Sequence, residues 1–283
     1  MLIYPNFDPV AISVGPLNVH WYGIMYLLAF AVAWRLALSR AKQPHSPITV
    51  SQVEDLIVYG AMGVVLGGRF GYVMFYNFEA WMHDPLWLFR VWEGGMSFHG
   101  GFLGVVVATY CYCRRVNVSF SSTLDFVAPL APLGLGFGRI GNFIGQELWG
   151  RATNVPWGMV FPNDPEQLVR HPSQLYQALL EGLVLFVIVY WFSRQPRPKL
   201  AIGSVFLIFY GIFRFAIEFV REPDGHLKDQ LLFDWMTRGQ LLTMPMIVVG
   251  VLILIWAYYQ QGKSQGKNTQ TSDDKTSVTA DSQ

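Results

Sequence analysis

Charge is scarce in this chain. Of its 283 residues, 14% are Asp, Glu, Lys or Arg, where soluble domains carry about 25%. The chain is 52% hydrophobic with a mean hydropathy of +0.32. The apolar excess is concentrated in long uncharged stretches, which excludes an ordinary soluble domain. The net charge is only +1, so no global basic field attracts nucleic acid. Cysteine is nearly absent. The two present, Cys111 and Cys113, are too close in sequence for an easy mutual disulfide. No C-x-x-C or Cys/His cluster suggests zinc, so neither a metal nor a cofactor is expected. The segment Met1 to Leu17 lacks a basic n-region and holds Pro5, Pro9 and Pro16. It does not read as a cleaved signal peptide, and the first spanning helix is expected to target the chain.

What is there is a series of apolar runs. A membrane helix needs about 20 largely apolar residues. Seven spans are expected, at about 19–38, 53–76, 97–113, 122–145, 173–193, 201–220 and 241–260. The fold class is therefore all-α: a polytopic integral membrane protein forming one membrane domain over residues 1–260. Lys and Arg set its orientation. Arg40 and Lys42, Arg114 and Arg115, Arg194, Arg197 and Lys199, and Lys263, Lys267 and Lys275 fall on alternate joints, and that side should be cytoplasmic. The opposite joints carry Arg90, Arg151, Arg170, Arg221, Lys228 and Arg238, spread over far more residues. The N-terminus is then periplasmic and the C-terminus cytoplasmic. The polar stretch 261–283 reads as a disordered cytoplasmic tail. Two outer segments, about 78–96 and 146–172, are rich in Trp, Gly and Pro. They are expected to form a small periplasmic head.

Three arginines lie inside expected spans: Arg69, Arg139 and Arg214. Each costs about 2.5–3.5 kcal/mol or more by insertion scales. Each lies roughly 14–17 residues past its span's inner end, about 21–26 Å along a helix. That depth falls in the outer leaflet. Any one of them could snorkel outward singly, but three at one depth point to a shared site. Gly68-Arg69-Phe70-Gly71 and Gly138-Arg139-Ile140-Gly141 share G-R-x-G. Their glycines suit close helix packing, and equally the approach of a lipid phosphate.

His99 heads a span of opposite direction, between Gly94, Gly95, Gly100 and Gly101. It is either a hydrogen-bonded structural histidine or a general base. Tyr22 opens the first span. Asn142 and Gln146 continue the helical face of Arg139, and Glu147 lies near that span's exit. Tyr210 and Glu218 flank Arg214 at four residues on either side, and Glu218 has ion-pair spacing. Arginines bind phosphate bidentately, and a phosphate at this depth belongs to a phospholipid. On the residues alone, a lipid transferase and a lipid or solute transporter are both open. A seven-span retinal receptor is disfavoured, because residues 241–260 contain no lysine.

The motifs resemble the bacterial prolipoprotein diacylglyceryl transferase family. They are GRIGNFIGQELWGRATNVPWGMVFP (Gly138–Pro162), HWYGIMY (His20–Tyr26), EGGMSFHGGFLG (Glu93–Gly104), RHPSQLYQALLEG (Arg170–Gly182) and YGIFRFAIEFVREPD (Tyr210–Asp224). The resemblance covers roughly Asn6 to Tyr258. It implies seven spans with a periplasmic head, in the bacterial inner membrane. It also implies transfer of the diacylglyceryl group of phosphatidylglycerol to the lipobox cysteine of a preprolipoprotein signal peptide, forming a thioether and releasing glycerol phosphate. The implied catalytic residues are His99, Arg139, Arg214 and Tyr210. Arg139 and Arg214 would grip the phosphate, and His99 would take or relay the thiol proton. Tyr22, Tyr210 and Asn142 would donate hydrogen bonds, and Glu147 and Glu218 would orient arginines. Gly150 and Arg69 complete the implied lipid site. For Arg69, pairing with a carboxylate or helix-end carbonyls is an equal alternative.

Overall fold

The computed structural model describes residues 2–15, 17–222 and 236–280. The joint at 223–235, with Lys228, lies outside the described residues. The chain divides into two compact units, Met1–Ala29 with Ala128–Gln283, and Phe30–Val127. Each is described by itself.

The chain is mostly helical. Among the described residues, four helical stretches are long and apolar enough to cross a membrane: Trp21–Ala41, Val50–Tyr76, Ser173–Phe192 and Gly239–Lys263. Phe120–Val127 with Ala131–Ile144 makes a fifth if taken as one span. The other two expected spans are also helical, but one is short of apolar residues and one is short in length. Helix Phe98–Val116 starts with His99 and two glycines and ends on Arg114 and Arg115. Helix Ala201–Ile217 has only 17 residues.

Among the described residues, the fold departs from all-α in two small sheets. Strand β1 (Leu2–Ile3) pairs in parallel with β4 (Met159–Val160), which pairs antiparallel with β5 (Val169–Arg170). Strands β2 (Val10–Val14) and β3 (Leu17–His20) form a hairpin ahead of α1 (Trp21–Ala41). Two-residue strands have too little alternation to leave a sequence signal.

In the unit Phe30–Val127, α2 (Val50–Tyr76) packs on α4 (Phe98–Val116) through glycine. A Cβ at Gly67 would lie 2.4 Å from the Gly100 carbonyl oxygen, and one at Gly104 would lie 2.1 Å from that of Gly63. Without a hydrophobic force between helices in lipid, such close backbone contact is what holds them together. The short helix α3 (Phe78–His83) and two 3-10 turns, Pro85–Phe89 and Val91–Glu93, join α2 to α4. Ser97 caps α4 by accepting from Gly100 N–H at 3.2 Å, and its own N–H donates to Gly68 O at 2.9 Å. Both cysteines here are free thiols. Helix α5 (Phe120–Val127) ends this unit. The stretch expected as one span at 122–145 breaks after it, because Pro129 cannot continue the hydrogen-bond ladder.

The other unit holds α6 (Ala131–Ile144), α7 (Ser173–Gln177), a π-helical turn (Ala178–Val184), α8 (Leu185–Phe192), α9 (Ala201–Ile217) and α10 (Arg238–Ala280). Leu185 and Val189 are buried against Ile202 and Val205. A second core joins Tyr4, Phe143, Met159 and Phe161. Burial pushes the Tyr4 phenol up to about 12, and it donates to Phe143 O at 2.8 Å. Helix α10 runs on from Gln261 to Ala280, where the composition reads as disordered.

Candidate active site

The site in the unit Met1–Ala29 with Ala128–Gln283 begins with two glycines. Gly136 on α6 and Gly182 on the π-helical turn approach so closely that a Cβ on Gly182 would lie 2.7 Å from Gly136 Cα. This contact sets Glu181 beside Arg139, one helical turn past Gly136. Arg139 Nε lies 3.9 Å from Glu181 Oε2. Glu181 is fully buried, and neither of its oxygens accepts a hydrogen bond. Arg139 keeps 24% of its side chain exposed. One arginine therefore has a buried counter-ion on one side and open space on the other. The π turn is a geometry that often marks functional segments.

Arg214 forms the second cationic group. Its Nη1 lies 2.8 Å from Glu218 Oε2 across one turn of α9 and its C-terminal cap. The contact is an ion pair without the angles of a good hydrogen bond. Thr237 Oγ1 donates to the other oxygen, Glu218 Oε1, at 3.0 Å. Thr237 also begins α10: Gln240 N–H donates to Thr237 Oγ1 at 3.2 Å, and Thr237 N–H donates to Gln240 Oε1 at 3.0 Å, a capping box. Gly239 leaves room for Glu218, since a Cβ there would meet Oε1 at 2.5 Å. The charged neighbours of Tyr210 are Glu181, Arg214 and Arg139. Arg221 is a third cation near Glu181.

Tyr22 reaches the same cluster from α1. Gly141 opens the space for its ring: a Cβ there would lie 2.8 Å from Tyr22 Cδ2. Tyr22 is 43% exposed, its hydroxyl is 3.4 Å from that of Tyr26, and its charged neighbours are Glu147 and Arg139. Glu147 is exposed. Asn142 is buried on α6, and its carbonyl accepts from Glu147 N–H at 2.9 Å. Gln146 instead turns toward the head and accepts from Asn163 N–H at 3.0 Å. Gly150 sits where three strands of chain meet. Its N–H donates to His171 O at 2.9 Å, and a Cβ would lie 2.5 Å from Val220 O. Gly150 thus acts through close packing.

Behind the site, Arg170 ties the head together. It is buried, with Nε 2.5 Å from Asp164 Oδ2 and Nη2 3.1 Å from Oδ1. It also bonds Glu166 and lies 3.6 Å from Glu222. Burial alone would raise the Asp164 carboxyl. The bonds from Arg170 and from the Glu166 and Leu168 amides hold it below the usual carboxylate range.

Arg69 and His99 belong to the other unit. Arg69 is 2% exposed and fully engaged by backbone. Nε donates to Leu88 O at 3.1 Å, Nη2 to Trp87 O at 2.6 Å, and Nη1 to Gly94 O and, at 3.3 Å, to Gly95 O. The guanidinium also lies 4.4 Å from the centroid of the Trp87 ring. Gly94 and Gly95 both take positive φ, at 80° and 76°, which turns their carbonyls into this cradle. Of the two readings open for Arg69, this geometry favours carbonyl pairing. His99 sits exposed in the first turn of α4. No group of three or more potential metal ligands occurs among the described residues.

The family profile described as prolipoprotein diacylglyceryl transferase matches residues 9–256. The chain belongs to the prolipoprotein diacylglyceryl transferase family. The phosphatidylglycerol–prolipoprotein diacylglyceryl transferase of Teredinibacter turnerae is 60% identical over 268 residues, covering 91% of this chain and 93% of that one. The protein of the same name from Acinetobacter baylyi is 59% identical over 264 residues, covering 92% and 96%.

Against that membership, Glu181 and Arg221 are the residues that sequence reasoning passed over. Glu181 lies inside RHPSQLYQALLEG, one of the motifs that resembles the transferase family. The signal that picked out the arginines, a charge within an apolar span, applied equally to Glu181. In the sequence, Arg221 reads only as a charge in a joint.

Proposed function

We propose that this chain transfers the diacylglyceryl group of phosphatidylglycerol to the lipobox cysteine of preprolipoproteins, the first step of lipoprotein maturation. The observation that carries this reading is the pair Arg139 and Arg214, each with a carboxylate partner and both charged neighbours of Tyr210, in a unit with helices long and apolar enough to cross a membrane. The nucleophile is the substrate's thiolate. It attacks the glycerol carbon that bears the phosphate; a C–S bond forms, the C–O bond breaks, and glycerol phosphate leaves with the bonding pair. Fixed guanidinium groups stabilise the charge on that leaving phosphate. Arg139 offers its open side to it, and Arg214 joins from α9. Tyr22, Tyr210 and Asn142 supply hydrogen bonds to the lipid head, and Glu147 and Glu218 orient the arginines. His99 takes or relays the thiol proton.

The same reading places residues 1–260 in the bacterial inner membrane as seven spans, N-terminus outside, with 261–283 as a cytoplasmic tail. Alternating Lys and Arg in the joints support that orientation. The test is direct. Purified protein, phosphatidylglycerol and a lipobox peptide should yield a thioether-linked diacylglyceryl peptide by mass spectrometry. An unmodified peptide, with lipid moved between leaflets, would instead indicate a transporter.

A further inference from the structure

Glu147 stands between two residues in the left-handed region, Gln146 at φ 55° and Leu148 at φ 56°. Few residues other than glycine and asparagine adopt that conformation, and for a bulky side chain such as leucine it is a true outlier. Two such residues flanking one carboxylate need surroundings that hold them there.

The hold comes from main-chain contacts on both sides. Glu147 N–H donates to Asn142 O at 2.9 Å, so the chain turns tightly off the end of α6. Glu147 O accepts from Gln174 Nε2 at 2.7 Å, and Leu148 O accepts from Ser173 Oγ at 3.0 Å. Ser173 and Gln174 open α7 and are fully buried. Gln174 Oε1 accepts no hydrogen bond among the described residues, so the bond to Glu147 is what orients this amide. Two consecutive carbonyls of the turn are thus fixed by two consecutive side chains of one helix. With its main chain held at both ends, Glu147 has only its side chain free to face the site. That side chain is exposed and folds back along the end of α6: a Cβ on Gly145 would lie 3.8 Å from its Cδ. There it and Arg139 are the charged neighbours of Tyr22.

We propose that Ser173 and Gln174 are positioning residues: by holding the left-handed turn at its two carbonyls, they aim the Glu147 carboxylate at the Arg139 and Tyr22 end of the lipid site. This rests on Glu147 acting at the lipid head. Neither Ser173 nor Gln174 touches the lipid, and each acts only through the turn.

The test is a double-mutant cycle on the full-length protein, with phosphatidylglycerol and a lipobox peptide under single-turnover conditions. Gln174→Met keeps the length of the side chain and removes the donor. It should slow transfer about tenfold or more when Glu147 is present. In the Glu147→Gln background the same change should slow transfer by less than about threefold, because no carboxylate is left to aim. A glutamine that merely supported the fold would cost the same factor in both backgrounds. Equal factors, or no slowing in either, overturn the proposal. Should Gln174→Met not fold, Ser173→Ala goes through the same cycle and is read the same way. If Glu147→Gln is too slow to follow, displacement of fluorescent phosphatidylglycerol from neutral micelles replaces the rate. Failure of the underlying reading looks different: Glu147→Gln alone would then transfer at the original rate, which removes the carboxylate from the site and the proposal with it.

Discussion

Gly136 and Gly182 touch backbone to backbone, and that contact is what stands Glu181 beside Arg139. Neither glycine can gain a side chain without driving α6 and the π-helical turn apart. Gly182→Val should lower stability by about 1–3 kcal/mol and reduce transfer more than tenfold, because Arg139 loses its partner. Thermal unfolding in detergent and the peptide-transfer assay measure the two effects. Transfer at the original rate would mean that this contact does not organise the site.

Arg139→Ala and Arg214→Ala should each lower kcat/KM for phosphatidylglycerol by about 100-fold or more. A charge-assisted hydrogen bond contributes about 1.5–3 kcal/mol, and each truncation also strands a buried carboxylate. Arg139→Lys should recover part of the loss, since a point charge replaces the planar fork. Steady-state kinetics with the lipobox peptide decide; either alanine variant at full activity would remove that arginine from the phosphate grip.

Arg69→Ala should behave differently. It leaves the carbonyls of Trp87, Leu88, Gly94 and Gly95 without their donor. A loss of about 3 kcal/mol or more is expected, since each buried unpaired group costs about 1–3 kcal/mol. Protease sensitivity between residues 85 and 95 should rise, while KM for phosphatidylglycerol in the folded fraction stays the same. A large rise in KM would return Arg69 to the lipid site.

The head should lose stability in acid through Asp164. Its folded carboxyl titrates below the ordinary range, so between the two values the unfolded chain binds more protons. The stabilisation is complete above the unfolded value near 3.9 and is lost as the pH falls through the lower folded value. Asp164→Asn should therefore be about 3–5 kcal/mol less stable at pH 7, because it breaks a buried pair, and flatter in acid. Parallel denaturation curves at all pH values would contradict this.

His99→Gln should abolish or sharply slow transfer near neutral pH if the imidazole moves the thiol proton. Raising the pH, which ionises the thiol in solution, should then narrow the gap to the unaltered enzyme. A pH–rate profile of both proteins measures this, and equal rates at pH 7 would remove the role.

The helices were legible because apolar runs of about 20 residues have few other uses, and each expected span is helical here. The break between α5 and α6 was missed because Pro129 sits in an unbroken apolar run. The direction of Arg69 could not be read: its acceptors are main-chain carbonyls 18–26 residues away, and carbonyls carry no sequence signature. Arg214 and Glu218 were legible because their partnership is local to one helix turn. Glu181 and Arg139 are 42 positions apart, and the packing of the π-helical turn on α6, with the Gly136–Gly182 contact within it, brings them together.

The cradle around Arg69 imposes an order on assembly. Translation delivers the guanidinium first and its four acceptors only later, with Trp87 first among them and Gly95 last. Until residues 87–95 follow, the charge on α2 has none of these acceptors. Only when that stretch folds back over α2 can the charge be drawn in. Arg69 is thus captured by a stretch of chain synthesised after it.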